Sequence, residues 1–467
     1  MAKTKIVCTI GPASQDKQTL EAMIRAGMNV ARLNFSHGTH SDHAAVISRI
    51  HSALNDIGSP VAILQDLCGP KIRVGEIDAP GIRLEPGDTL TLTSQPATGA
   101  QNRVSVSYTE LPRDVETGDL ILLADGMMEL EVIRTTSTDI ACRVIIGGVL
   151  TSHKGINLPS GTIRVPALTD KDKQDLEFGL SQEVDYVALS FVRCPEDIRE
   201  AKRIIAGAGR KTPVIAKIEK HEAVKNIDAI IDAADGIMVA RGDLGVEIPL
   251  ETVPAIQKEL VSKANAVGKP VIIATQMLRS MVDAPRPTRA EATDVANAVL
   301  DGTDALMLSE ETATGNYPVK SVEYMARIAE SAEPAYPYEK SFSMITDIQV
   351  SESVAHAACT LADHLNAAAI IASTQSGFTA AQISRFRPKS RIIALSPDKR
   401  TVRQLSLYWG CLASYVPQAE DLDEMLDTAV NTAREIGHVK DGDLIVITAG
   451  HPLWQPGTTN MIKVREL

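Results

Sequence analysis

The 467-residue sequence has no apolar run approaching the ~18 residues that a membrane-spanning helix needs, no low-complexity tract and no short internal repeat. It has no CxxC pair. Its six cysteines, Cys8, Cys68, Cys142, Cys194, Cys359 and Cys411, are scattered, which fits reduced thiols better than a zinc site or a disulfide frame. Basic residues are not in excess: 47 Lys and Arg against 59 Asp and Glu leave a net charge of −12. Such a field repels the phosphates of nucleic acids and anionic membranes, although a local basic cleft remains allowed. The glycine-rich phosphate loops GxGxxG and GxxxxGK(S/T) are missing where a nucleotide-binding fold would carry them, so any nucleotide must be held by another scaffold. The N-terminus, MAKTKIVCTIG, has no apolar core ahead of a small-residue cleavage site, and a cytoplasmic protein is expected.

What is present is an ordinary soluble composition, 44% hydrophobic and 23% charged, at a length that suits about three domains. Short β-type runs alternate with amphipathic helical stretches: KIVCTI (5–10), a helix near 16–26, NVARLNF (29–35), a helix near 41–54 with Ser41 as its cap, and VAILQD (61–66). This is the βαβ rhythm of a parallel sheet. From about 70 to 166 the sequence becomes turn-punctuated and alternating, which predicts a compact all-β insertion. Five further runs follow at DYVALSF (185–191), PVIAKIE (213–219), GIMVARGD (236–243), PVIIATQ (270–276) and DALMLSEE (304–311). Three strands before the insertion and five after it make the eight of a (β/α)8 TIM barrel. Beyond about residue 340, a helix near 350–365, AAAIIAS (367–373), a helix from 379, RIIALS (391–396) and DLIVIT (443–448) predict a smaller α/β domain with an open sheet. The expected division is a barrel from 1–69 and 167–340, an inserted β lid from 70–166, and a C-terminal α/β domain from 341–467.

A barrel gathers its chemistry at the C-terminal ends of its strands. Strand two ends in Arg32, Asn34, Ser36 and His37, strand three in Asp66, strand four in Ser190, strand five in Lys217 and Glu219, strand six in Arg241 and Asp243, strand seven in Thr275, and strand eight in Ser309 and Glu310. Each alone is what a solvated rim carries; their convergence is the signal. In AKIEK, period-2 alternation puts Lys217 and Glu219 on one side of the strand. Glu219 with Asp243 supplies the two carboxylates by which Mg²⁺ is usually held, and Arg32, Arg73 and Lys217 would surround an anion beside it. Phosphoryl transfer suits that arrangement. A plain Lys-Glu-Asp salt-bridge network at the barrel mouth is the alternative.

The segments KIVCTIGPAS (5–14), NVARLNFSHG (29–38), GPKIR (69–73), AKIE (216–219), MVARGDLGVEIP (238–249), ATQML (274–278) and the run 285–318 resemble the pyruvate kinase family, in order, along essentially the whole chain. The resemblance implies transfer of the phosphoryl group of phosphoenolpyruvate to ADP, giving pyruvate and ATP in glycolysis. It implies that Glu219 and Asp243 hold Mg²⁺ or Mn²⁺, that Lys217 and Arg32 act on the moving phosphoryl group with Arg73 beside them, and that Ser190, the backbone of Arg241, Gly242 and Asp243, and the hydroxyl of Thr275 hold the substrate. Asn34, His37, Arg73 and Lys171 fall on the nucleotide side, and the proton that turns enolpyruvate into pyruvate arrives through Thr275 and water. The family also implies a homotetramer and no nucleic-acid or membrane partner.

Many members need K⁺, held at the matches of Asn34, Ser36, Asp66 and the backbone of Leu67. Those members carry Glu where this chain has Lys71 and Thr where it has Leu67. An ammonium has the charge of K⁺, so Lys71 is predicted to replace the ion and K⁺ is expected to be dispensable; the alternative is a surface lysine on the lid hinge. Arg279 and Glu310 also depart, from Glu and Gly respectively. In the C-terminal domain, Ser373, Thr374, Gln375, Ser376, Gly377, Phe378 and Thr379 open a helix after a strand, and with Gly450 to Thr459 are expected to receive a phosphorylated effector. Helix capping by Ser376 or Thr379 needs the same residue types. Two rival functions are a metal-dependent lyase or aldolase on the same substrates, and a catalytically silent relative retaining the fold.

Overall fold

The computed structural model describes residues 2–159, 161, 165–338, 349–453 and 457–467. Eight parallel strands close into a barrel: β1 (Lys5–Thr9), β2 (Val30–Asn34), β3 (Ala62–Asp66), β4 (Tyr186–Leu189), β5 (Val214–Ile218), β6 (Gly236–Ala240), β7 (Val271–Ala274) and β8 (Ala305–Leu308). Each pairs with the next, and β8 returns to β1 with Lys5 opposite Ala305. Their runs are continuously apolar because parallel strands are covered on both faces. Alternation sorts the two faces: Val7, Leu64, Met238 and Ile272 fill the barrel, while Ile6, Cys8, Ile63, Ile237 and Ile273 pack under the helices. The interior cluster also includes Leu407 from the C-terminal unit.

The helix after β2 spans His40–Ile57, and its N-cap is Thr39, not Ser41. Thr39 has extended backbone and shares a capping box with Asp42, which is why the helix starts a residue earlier than the apolar pattern suggests. Strand six likewise ends at Ala240, three residues short of the predicted GIMVARGD run, and a helix Arg241–Glu247 follows at once.

Residues 70–159 form a six-stranded sheet and a two-stranded one around their own core, including Leu90, Leu92, Ile121, Leu130 and Ile140. The insertion is not wholly β, since Leu111–Asp114 forms one helical turn. The chain leaves β3 for it through Gly69, whose φ of +68° and whose position against Phe191 leave no room for a side chain: a Cβ would lie 2.7 Å from the Phe191 ring.

The expected boundary near 340 lies outside the described residues. Beyond it stands a five-stranded sheet in the order Cys411–Tyr415, Arg391–Ser396, Ala369–Ser373, Leu444–Gly450, Thr459–Glu466, with the last strand antiparallel. Its outer strands were not legible as apolar runs because their burial is broken by half-exposed residues. This unit is riveted to the barrel by Arg387, 1% exposed, which donates to both oxygens of Asp304 at 3.0 and 2.9 Å, to Asn265 Oδ1 at 2.8 Å and to the Gly302 carbonyl at 2.9 Å. A second tie joins Arg403 to Asp185 at 2.9 Å.

Removing one member of a buried ion pair strands the other, at a cost of about 3–5 kcal/mol. Arg387→Met is therefore expected to lower the urea midpoint followed by tryptophan fluorescence by that equivalent. A loss below about 1 kcal/mol would mean that the pair is not what joins the units.

Candidate active site

The strand ends place five side chains in one cluster at the barrel mouth. Lys217, from β5, points its ammonium at Glu219 Oε1 (2.8 Å), Ser190 Oγ (2.6 Å) and Asp66 Oδ1 (3.2 Å). Arg32, from β2, donates its Nε to the other Asp66 oxygen at 2.6 Å and an Nη to Thr9 Oγ at 2.8 Å. Asp66 and Glu219 are 1% and 2% exposed, so these charges meet with little water to screen them. Burial pushes the Asp66 carboxyl up, but the Lys217 and Arg32 cations outweigh it and hold the group below the usual carboxylate range. Burial would also discharge Lys217, yet the Asp66 and Glu219 carboxylates raise its affinity for the proton above that of a free lysine.

Glu219 behaves differently. Burial raises its carboxyl, Lys217 only partly offsets this, and the nearby negative charge of Asp243 pushes it further up. Its Oε2 accepts the Phe191 amide at 2.8 Å. Asp243 is half-buried and, among the described residues, its side chain makes no hydrogen bond or ion pair. A carboxylate without a cation, beside a second one that it destabilises, is a donor set that fits a divalent ion. The plain salt-bridge network accounts for Lys217 and Glu219 but leaves Asp243 outside it.

Asp243 stands in the first turn of the helix after β6. The preceding Gly242 donates its amide to Thr275 Oγ at 2.8 Å, and a Cβ on it would come within 3.3 Å of that oxygen. Thr275 and Gln276 have φ of +72° and +56°, the first an unusual conformation for a β-branched residue. Such strain persists where surroundings over-determine it. Here Arg241 supplies them: its guanidinium grips both oxygens of Asp294 at 2.7 Å and donates to the Thr275 carbonyl at 3.0 Å.

Other predicted residues lie apart from the cluster. Arg73 stands in the insertion and donates to the His153 carbonyl at 3.1 Å. Lys171 reaches the Phe35 carbonyl (2.9 Å) and Asp175 (2.5 Å), and His37 is exposed nearby on the loop after β2. The Asn34 side chain accepts from the Ser36 amide at 3.2 Å, and the Leu67 carbonyl accepts from Ser190 at 2.7 Å. Lys71 is half-buried with its stem passing over Gly155 of the insertion; among the described residues it has no ion pair, and both Asp66 oxygens are taken by Arg32 and Lys217. Arg279 and Glu310 form an exposed ion pair at 2.8 Å.

Neither Asp294 nor Glu311 was legible from spacing or motif. Glu311, 1% exposed, accepts the Leu278 and Ser309 amides at 3.0 and 2.7 Å and so clamps the loops after β7 and β8. A buried acid that binds backbone amides, as Glu311 does, or a half-buried one that grips a distant guanidinium, as Asp294 does, has no periodicity to betray it.

In the C-terminal unit, the loop 373–379 lines a pocket with Ala449, Gly450, Leu453 and 457–459; Trp454, Gln455 and Pro456 lie outside the described residues. The helix Phe378–Arg385 begins after Gly377 without a side-chain cap, and Thr379 instead bonds Thr459 Oγ at 2.7 Å. Neither Ser376 nor Thr379 therefore caps that helix.

Two family models match the chain: the pyruvate kinase barrel domain over residues 1–322 and the pyruvate kinase alpha/beta domain over 352–465. Pyruvate kinase 2 of Synechocystis sp. is 50% identical over 466 residues, which is 99% of this chain and 79% of that protein. Pyruvate kinase of Staphylococcus haemolyticus is 47% identical over 99% of this chain and 80% of its own length. Pyruvate kinase of Clostridium acetobutylicum is 44% identical over 100% and 99%.

The Asp66 carboxyl carries a pH signature. Because its folded pKa is lowered, the stability it contributes is present above the unfolded value of about 3.9 and is lost as pH falls through the folded one. Urea unfolding at a series of acidic pH values should lose stability more steeply in the parent than in Asp66→Asn. Equal slopes would show that the carboxylate is not held by its two cations.

Proposed function

The chain belongs to the pyruvate kinase family, and from that premise we propose that it transfers the phosphoryl group of phosphoenolpyruvate to ADP at the barrel mouth, yielding pyruvate and ATP in cytoplasmic glycolysis. The observation that carries this reading is the Lys217 ammonium, held charged between Asp66 and Glu219 with the Arg32 guanidinium beside it. Two fixed cations at one end of a barrel suit a phosphoryl group whose charge spreads over three oxygens during transfer.

Glu219 and Asp243 are the residues to hold Mg²⁺ or Mn²⁺, which when bound supplies positive charge to the phosphate oxygens. Arg32 and Lys217 then orient the phosphoryl group, with Arg73 brought up by the insertion. The Gly242 amide, now given to Thr275, would turn to the substrate carboxylate together with the neighbouring backbone of Arg241 and Asp243 and the Thr275 hydroxyl; Ser190 keeps Lys217 in place. Asn34, His37 and Lys171 flank the open side of the mouth, where the nucleotide would enter. The insertion would exclude water from the transfer. Transfer of the phosphoryl group to ADP breaks the O–P bond and leaves an enolate, and a proton passed from water by way of Thr275 to its carbon gives the ketone; ketonisation makes the overall step downhill.

Lys71 is proposed to take the place of K⁺. Its ammonium would come to the corner formed by Asn34, Ser36, Asp66 and the Leu67 carbonyl when the insertion closes; in the present arrangement both Asp66 oxygens are held by Arg32 and Lys217. The loop 373–379 is proposed to bind a phosphorylated effector through the uncapped amides of the following helix, and assembly into a homotetramer is the family expectation.

Steady-state turnover of phosphoenolpyruvate, ADP and Mg²⁺ in a lactate-coupled assay tests the main reading. Lys217→Met is expected to lower kcat by about 10²–10³-fold or more. Pyruvate release that ignores ADP, or a Lys217→Met variant equal to the parent, would replace this function with another. Turnover is expected to be nearly equal in potassium and tetramethylammonium buffers, and Lys71→Glu to create dependence on K⁺. Strong K⁺ stimulation of the parent would remove the role given to Lys71.

A further inference from the structure

Two buried charges beside the metal carboxylates have no part in the transfer itself. Lys220 follows Glu219 in the chain, and Glu247 closes the helix Arg241–Glu247, one turn beyond Asp243. Each is 3% exposed, and the Lys220 ammonium lies 2.7 Å from Glu247 Oε1. The same oxygen accepts Asn157 Nδ2, from the insertion, at 3.3 Å. Gly126 of the insertion faces the same helix next door, where an added Cβ would stand 3.8 Å from Val246. Among the described residues Glu247 Oε2 accepts no hydrogen bond, and it faces His221 Nδ1 at 3.6 Å.

A buried ion pair adds little stability over well-packed apolar residues, so its geometry is the better clue to its use. Residues four apart share one face of a helix, so Glu247 anchors the turn that presents Asp243. Lys220 is the residue next to Glu219, so the pair fixes the end of β5 against that same helix. Asn157 adds the insertion to the same oxygen.

We propose that Glu247 is a positioning residue which, through Lys220 and Asn157, sets the separation of Glu219 and Asp243 and ties it to the seating of the inserted domain. This rests on the reading of Glu219 and Asp243 as the divalent-ion ligands. Outer partners of metal ligands change affinity by about 10–100-fold when altered.

The test is Mn²⁺ binding by the full-length protein without substrates, read by electron paramagnetic resonance, with thermal unfolding as the check on folding. Glu247→Asp keeps the charge and shortens the arm by one methylene; it is expected to weaken Mn²⁺ binding about tenfold at a nearly unchanged unfolding temperature, and to raise the Mn²⁺ activation constant more than it lowers kcat. Asn157→Ala should weaken binding in the same direction by less. If Glu247→Asp does not fold, the charge-free pair Lys220→Met with Glu247→Leu takes its place, with the same expected loss. Folded variants that bind Mn²⁺ as tightly as the parent would overturn the proposal while leaving the metal site standing. Glu219→Gln serves as the control: if it too binds like the parent, the assignment of the metal ligands is wrong and the positioning role falls with it.

Discussion

A charge taken out of water must find opposite charge nearby, and at this barrel mouth the charge is the Lys217 ammonium. Asp66 and Glu219 approach it from strands three and five, Ser190 from strand four, and Arg32 shares Asp66 with it. The cluster is possible only because a closed barrel brings these strand ends to one rim, and its order restricts where each side chain can point. Asp243 stays outside the balance. That surplus negative charge is what the proposed divalent ion would balance.

The rim is rigid in some places and strained in others. Thr275 is held at positive φ by contacts with Gly242 and Arg241, and Arg241 is in turn fixed by Asp294. The cost of such a conformation, ~1–3 kcal/mol, is sustained by a core in which every barrel strand is buried on both faces. Polar and packing residues thus divide the same strands by position: the body of each strand packs, and its last residues face the barrel mouth.

The barrel was legible because eight apolar runs have the length and spacing of parallel strands, and the Lys217–Glu219 pair because the period of a strand is two. Helix starts were less so. Thr39 displaced Ser41 as a cap, since both are suitable and only the backbone chooses. Asp243 was expected at the end of a strand and stands in a helix, because the strand stops at Ala240 and the helix begins at once with Gly242 packed closely against Thr275. Lys71 and Arg73 follow each other closely in a motif that reads as one site, yet both side chains lie along the insertion rather than in the cluster. Sequence spacing has no access to the direction taken after a hinge. Glu311, Asp294, Lys220 and Glu247 were silent for a related reason: each has a partner tens of residues away, Leu278, Arg241 and one another respectively, and an acid that holds such a partner looks like any other acid in a string of letters.

Two ion pairs described above tolerate replacement differently. Arg279 and Glu310 are exposed, so either can change without the other at little cost. Arg387 and Asp304 have no such latitude, since whichever changed alone would leave a naked charge in the joint between two folding units. The seam between barrel and C-terminal unit therefore works as a matched set, and a chimera that swaps one half requires a donor carrying the same complementary pair.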